Sequence, residues 1–441
     1  MAQRAPLARV RAEMAGRALL PRAAVVLAAL AAPLSAAEGP ARAILLVPDL
    51  GASTSDLRFP DIDDEEIVAF DPETGEILPF LQDSNWRSLL GDADGDGRFN
   101  DVPAQVDAIA AMGGSVSSAY DLLYSFTTDR TFLGGTVARD GDLVRLLPGG
   151  GAEIVVSEED LRLALGTSSD IDLDAAAFEP DGTLLFSLDS SIVTSSAAIA
   201  AENGGSRVLP DETVFALPPA ASRARVRLRD ADVIAAVNRA LGTSYASVID
   251  VQGLEVLDGG EILFTTGIFS GPGAGAIFTT AGGGRIAVAG GIPLDGPAFQ
   301  LGSPVDWNGL AIVAEPLRPL VLDTDLPVTS RSADGRISVR IAAGTPGGLA
   351  RILATPVSRP VIAPTPESAL RGTGYIFVAR TDPMYARSLS SPRTLLRLDS
   401  RGDAAVSFRL RPTTPAITLT LQAVDETSRA ASHGIVVEIV P

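Results

Sequence analysis

Cysteine is absent, and so is lysine: all 35 basic residues are arginine. The first absence excludes disulfides, a lipid-modified cysteine anchor and thiolate metal sites, so stability must come from burial. The second, beside abundant alanine and glycine, fits the coding bias of a GC-rich bacterial genome rather than a functional demand. With one histidine, His433, multi-histidine zinc centres are excluded, and a Ser-His-Asp triad would have to use that residue. It falls just before the last strand-like run, where a turn or strand-edge role is expected. Two tryptophans, Trp86 and Trp307, make a thin aromatic platform for sugars. Beyond the first 37 residues no run is long and apolar enough to span a bilayer, which takes ~20 residues.

The first residues place five arginines (Arg4, Arg9, Arg11, Arg17 and Arg22) before an Ala/Val/Leu run from Ala23 to Ala32 and small residues around Ala36 and Ala37. A basic region, a short apolar core and a small-residue cut site read as a secretory signal peptide over residues 1–37. The net charge of −19 is divided. Residues 1–37 carry +4, residues 38–317 carry 15 arginines against 43 acids (−28), and residues 318–441 carry 15 arginines against 10 acids (+5). The acidic region repels phosphates and excludes nucleic acid as a partner. The basic tail remains open to contact with an anionic surface.

What is present is repetition. A Leu-Gly pair closing a short helical phrase recurs at Gly91, Gly166 and Gly242, spaced by 75 and 76 residues, which marks units that bury their apolar faces against their neighbours. The second unit divides into strand-like pieces at 106–112, 121–129, 142–150 and 152–158. The third divides at 171–180, 183–190, 212–219 and 223–230, and the fourth at 251–258, 261–267, 275–280 and 284–291. The turns EPDG and LDGG join the first two strands of a unit as hairpins. Four-stranded antiparallel units in series are the blades of a β-propeller. Apolar second strands such as LLYSF and LLFSL fit burial on both faces. Between units, Ser157 is placed to cap a helix ending at Gly166, and Asp230 to open one with Val233, Ile234, Val237 and Leu241 inward and Gly242 at its stop. The region begins with three strands, at 43–49, 65–72 and 75–82, and ends with one, 309–316. One blade shared between the termini would close a ring of four and remove both open edges.

A Pro-rich stretch at 316–327 reads as the start of a linker, and the opposite charges on either side suggest independent domains. Beyond it, seven alternating strands at 337–344, 350–356, 374–380, 394–400, 404–410, 416–425 and 434–440 suggest a β-sandwich. The expected fold class is therefore all-β: a four-bladed propeller closed by N- and C-terminal strands, then an Ig-like sandwich. The domains are a signal peptide (1–37), the repeat domain (38–316), a linker (317–334) and the sandwich (335–441).

The phrases IDLDAAAFEPDGTLLFSLDS, LPDETVFAL and DIDDEEIVAFDPETGEI resemble the repeats of uncharacterised secreted bacterial β-propeller-like proteins. The tail, with LLRLDSRGDAAVSFRLRP, AITLTLQAVDE and SHGIVVEIV, resembles a C-terminal Ig-like sandwich of large secreted bacterial proteins, with Ser432-His433 where that pattern often has Ser-Asn. The resemblance implies the fold and carries no activity.

The sharpest chemical signal is GDADGDGRFND at 91–101. Asp92, Asp94 and Asp96, Gly97 at the turn, the carbonyl of Arg98 and Asn100 reproduce the first nine positions of a calcium loop. Pro103 stands where a bidentate carboxylate belongs, with Asp101 or Asp107 as substitutes, and the long flanking helices of an EF-hand are missing. The competing reading is an acidic surface insertion. Arg401-Gly402-Asp403 spells an adhesion tripeptide but falls where a hairpin turn is expected. GPGAGA (271–276) and AGGG (281–284) lack the Lys-Ser/Thr of a phosphate loop. The expected role is a secreted, non-enzymatic binding or surface-interaction protein for an extracellular carbohydrate or protein, with calcium as its only expected cofactor. The alternative is a secreted polysaccharide hydrolase using a carboxylate pair on the propeller face.

Overall fold

The computed structural model describes residues 43–313 except 50–51, 54–60, 72–74, 104, 112–115, 246–248, 258–259, 268–274 and 281–305, and residues 319–441 except 325–326, 332–334 and 358–364. The signal-peptide reading, the strand expected at 284–291, the AGGG cluster and most of GPGAGA lie outside the described residues. The chain is built predominantly of β-sheet.

The first three main strands are β1 (Ala43–Pro48), β2 (Ile67–Phe70) and β3 (Ile77–Leu81). Next come β4 (Val106–Ala111), β5 (Leu122–Phe126), β6 (Leu143–Leu147) and β7 (Gly151–Val156). They are followed by β8 (Leu173–Phe178), β9 (Leu184–Leu188), β10 (Val214–Leu217) and β11 (Arg225–Leu228). The repeat region ends with β12 (Val251–Val256), β13 (Ile262–Thr266), β14 (Phe278–Thr279) and β15 (Trp307–Val313). They form antiparallel sheets in the orders β4-β5-β6-β7, β8-β9-β10-β11 and β12-β13-β14, while β15 leads a fourth, β15-β1-β2-β3. The pairing of first and last strands sets Ala43 against Val313 and Leu46 against Leu310. At the inner edge, β4 lies against β8, β8 against β12, β12 against β15 and β15 against β4.

Local chemistry sets these elements. The EPDG turn is closed by Gly182, at φ 84°, whose N–H reaches Glu179 O at 2.8 Å. Helix α1 (Asp83–Leu90) buries Trp86 and Leu89, and the Trp86 indole donates to Glu65 O at 2.6 Å. Helix α2 (Glu158–Leu165) starts where Ser157 Oγ accepts from Asp160 N and stops at left-handed Gly166. In helix α3 (Asp230–Leu241) Val233 and Val237 are buried, Ile234 and Leu241 half-buried, and Gly242 ends the helix. Asp230 opens it as the first helical residue, with Arg229 at the cap position.

The second unit places two sheets around one apolar core that includes Ile337, Val339, Ile341, Ile352, Leu421, Ile435 and Val437. Its strands are β16 (Val321–Asp323), β17 (Val328–Ser330), β18 (Arg336–Ala342), β19 (Leu349–Pro356), β20 (Leu395–Arg397), β21 (Ala404–Arg409), β22 (Ile417–Asp425) and β23 (Ile435–Val440). The sheet orders are β16-β18-β21 and β17-β23-β22-β19-β20. Two expectations change here. Residues 383–390 form helix α4 (Pro383–Ser390), started by an Asp382 cap and Pro383, and the strand expected at 374–380 shrinks to a two-residue bridge. The stretch expected as a linker supplies β16 and β17, because Leu320 and Leu322 complete the apolar core.

The two units are also packed together rather than independent. Phe377 and Val436 join the core around Trp86, and Leu78 packs with Val321 and Ala342. Gly434 O accepts from Ser88 Oγ at 2.6 Å and Asn85 Nδ2 at 3.3 Å. Gly434 is required there, since a Cβ would meet the Phe377 side chain at 2.8 Å. His433, expected at a turn or strand edge, is the centre of this interface: its Nε2 accepts from Ala119 N at 3.2 Å and its ring lies edge-on to Phe80 at 5.6 Å. Burial lowers its pKa to about 3, so the imidazole is neutral.

Candidate metal centres

The acidic loop follows α1 and is shaped by its own side chains. Asp92 Oδ1 accepts from Gly97 N at 3.0 Å, Asp94 Oδ1 from Asp96 N at 2.9 Å, and Asp96 Oδ1 from Arg98 N at 2.7 Å. Gly95 and Gly97, at φ 75° and 90°, allow the tight curl. Asp101 turns back to accept from Ala93 N and Asp94 N. Carboxylate oxygens of Asp92, Asp94 and Asp101 all lie within 4.8 Å of one another. Asp101 thus stands near the position that Pro103 leaves without a carboxylate. Asp96, Arg98 and Asn100 are exposed on the same loop. Asp107, the other substitute considered, is not in the loop; it sits on β4, inside the repeat region.

That second location was missed by sequence reasoning. The inner strands β4, β8, β12 and β15 open with one phrase in four spellings: QVDA from Gln105, DLDA from Asp172, DVQG from Asp250 and DWNG from Asp306. In each strand the register slips at the third residue of the phrase. Val106 pairs Phe126 and Ala108 pairs Ser125, so Asp107 is bulged; Asp174, Gln252 and Asn308 are skipped in the same way. A β-bulge takes a residue out of the ladder and re-aims its side chain. Repeated four times, it sets Asp107, Asp174, Gln252 and Asn308 at equivalent points around the inner edge, all below 8% exposed. The fourth residue is always Ala or Gly because the strands are close: a Cβ on Gly309 would meet Ile109 at 2.9 Å, and one on Gly253 would meet Leu310 at 3.0 Å.

The acids pair across neighbouring strands, Asp107 with Asp172 and Asp174 with Asp250. Burial, then the charge of Asp172, pushes Asp107 well above the usual carboxylate range; burial, then Asp250, does the same to Asp174. Burial first, with surrounding carboxylates, raises Asp172 and Asp250 to about 7. Burial also raises Asp306 to about 6. Gln105 Nε2 donates to Asp49 O at 2.6 Å and Asn308 Nδ2 to Asp49 Oδ1 at 3.2 Å.

Two open features lie elsewhere. A groove of ≈ 750 Å³ runs along the edge strand β21, lined by Arg393, Phe408, Arg409, Leu410 and Arg411. A cavity of ≈ 470 Å³ between the units is bordered by Arg98 and Phe99 of the acidic loop and by Val328 and Val436. The Arg401-Gly402-Asp403 tripeptide is the turn before β21: Asp399 Oδ1 accepts from Arg401 N at 2.7 Å and Asp403 N at 3.0 Å. Among the described residues no helix is long and apolar enough to cross a membrane.

No family model matches this chain, and no curated protein is similar to it. Among solved structures, the extracellular domain of a one-component system from B. thetaiotaomicron is similar at 10% identity, and that of a hybrid two-component system from the same organism at 11%. Each match covers 86% of this chain, with a TM-score of 0.21. This chain spans about half the length of those chains, 47% and 48%.

Proposed function

We propose that this is an exported, non-enzymatic binding protein, a four-bladed propeller closed by β1 and β15 with an Ig-like sandwich docked on it, whose sandwich groove holds an anionic extracellular polymer. The observation that carries the reading is the contrast between centre and groove. Asp107 and Asp174 are buried and each is hydrogen-bonded to a half-buried carboxyl, Asp172 or Asp250, so the central acids engage one another instead of flanking a glycosidic oxygen as a hydrolase's two carboxyl groups do. The open groove carries Arg393, Arg409 and Arg411 beside the apolar Phe408 and Leu410 on the basic unit, along a strand edge where an extended chain can lie.

The test is a screen of purified residues 38–441 against acidic and neutral polysaccharides and acidic peptides, with product analysis alongside. Expected are retention on acidic ligands without chain cleavage, and at least a tenfold loss of affinity in the R393A/R411A variant. Cleavage of a polysaccharide would overturn the non-enzymatic reading, and equal binding by the variant would remove the groove from it.

Calcium at Asp92, Asp94 and Asp101, with Asp96, Arg98 and Asn100 completing the loop, belongs to the same proposal. The convergence of three carboxylates beside the inter-unit cavity supports it. An ion bound only by the folded chain raises the melting temperature with concentration. The D94N/D96N variant is expected to lose at least half of the calcium-induced rise; an unchanged rise would make the loop a plain turn.

A further inference from the structure

We propose that the inner strands carry a pH-dependent latch: Asp107 with Asp172, and Asp174 with Asp250, each share a proton between neighbouring strands, and loss of those protons in alkaline solution loosens the repeat unit. The latch depends neither on what the groove binds nor on the acidic loop.

The repeated phrase builds both pairs by one rule. The third residue of an inner strand's phrase, turned out of its ladder by the bulge, bonds to the first residue of the next strand's phrase. Asp107 of β4 thus bonds Asp172, just before β8, and Asp174 of β8 bonds Asp250, just before β12. Asp107 and Asp174 are 6% and 3% exposed, and Asp172 and Asp250 are half-buried. Asp172 Oδ1, Asp174 Oδ2 and Asp250 Oδ1 are buried with no N–H or hydroxyl hydrogen to accept. An ionised carboxylate only accepts, so two carboxyls in hydrogen-bond contact need a proton between them.

The other two inner strands support the same reading with different chemistry. Their third residue is an amide, Gln252 or Asn308, which brings its own N–H. Asn308 Nδ2 donates to Asp49 Oδ1 at 3.2 Å. A protonated aspartic acid is the closest acid equivalent of such a donor.

Among the described residues, the charged groups that act most strongly on the pairs are all acids. Asp189, which follows β9, acts on all four members, Asp140 on Asp172, and Asp211 and Glu212 on Asp250. Burial first, then neighbouring acids, raises Asp172 and Asp250 to about 7 and holds Asp107 and Asp174 well above the usual carboxylate range. An unfolded aspartate has a pKa of about 3.9. The folded chain therefore keeps protons that the unfolded chain has released. The stability they confer is complete below about pH 4 and is lost as pH rises through about 7 and beyond. Once the protons are gone, each pair sets two like charges in contact across neighbouring strands.

The experiment compares the parent chain with D107N/D174N, in which an amide supplies the hydrogen that the proton supplied. Urea midpoints are read from pH 5 to pH 9. Between pH 5 and pH 7 the folding constant of the parent should fall by at least about tenfold per pH unit relative to the variant, the effect of one or more protons held by the folded chain alone. At pH 9 the variant should be the more stable. D172N/D250N, which moves the amide to the other member of each pair, should flatten the curve in the same way. Infrared spectra at pH 7.5 should show a protonated carboxyl in the difference between parent and variant, where raised acids elsewhere, such as Glu66, cancel. Parallel pH curves, or a difference spectrum without a protonated carboxyl, would overturn the proposal. So would a D107N/D174N chain that stays unfolded at every pH, because the amide would then have failed to replace the proton.

Discussion

Removing β1, residues 43–48, is expected to abolish the cooperative melting of the repeat unit. All six residues are buried, with Ile44, Leu45, Leu46 and Val47 fully inaccessible to solvent. The strand pairs with β15 on one side and β2 on the other, so its loss unpairs two neighbours and opens a sheet edge. Burying one such side chain stabilises by about 1.5–3 kcal/mol, so four of them rival the whole stability of a typical domain, about 5–15 kcal/mol. A milder probe is Leu45→Ala, which should cost about 2–5 kcal/mol. Near-UV circular dichroism and calorimetry of the truncated chain check this. A truncated chain that melts at the parent temperature would show that β1 is dispensable.

The second large effect concerns acid. His433 titrates near 6.5 when unfolded, while burial lowers it to about 3 in the folded chain. A group whose folded pKa is depressed in this way binds protons more readily in the unfolded state. Its contribution is therefore intact above pH 6.5 and is lost as pH falls from there toward 3. The H433N variant keeps a polar side chain at the Ala119 N–H but has no imidazole to protonate. Between pH 7 and pH 4 the parent is expected to lose about 3 kcal/mol relative to this variant, read from urea midpoints of both proteins. The raised central carboxyls are common to both proteins and cancel in the difference. Parallel pH curves would mean that the imidazole is not buried between Phe80 and Phe377.

Much of this architecture was legible because its determinants are local. Ser157 and Gly166 bracket α2, and Gly182 and Gly260 set hairpin turns by conformations that other residues rarely adopt. The partnership of β1 with β15 could be argued from strand counting alone. Helix α4 had a local signal as well, Asp382 followed by Pro383, which was masked by the alternating strands on either side. The docking of the units was not legible, since His433 meets Ala119 across 314 residues and no periodicity connects them.

The central ring escaped for a different reason. Its four phrases are spaced unevenly, by 67, 78 and 56 residues, and the third residue changes from Asp107 and Asp174 to Gln252 and Asn308. What unites them is the slip of register, visible only once each inner strand is paired. The acidic loop showed the reverse: Asp92 and Asp94 were evident from spacing, while the return of Asp101 depended on the fold.

The central claim, that the repeat region closes on itself through β1 and β15, is tested most directly by cross-linking a chain with no cysteines of its own. In an antiparallel pair, successive partners alternate between wide and close approach, so one of L45C/A311C and L46C/L310C must suit a disulfide. The account predicts that under mild oxidation one of these variants forms the bond quantitatively while folded and the other forms it poorly. Two folded variants that both retain free thiols would contradict it.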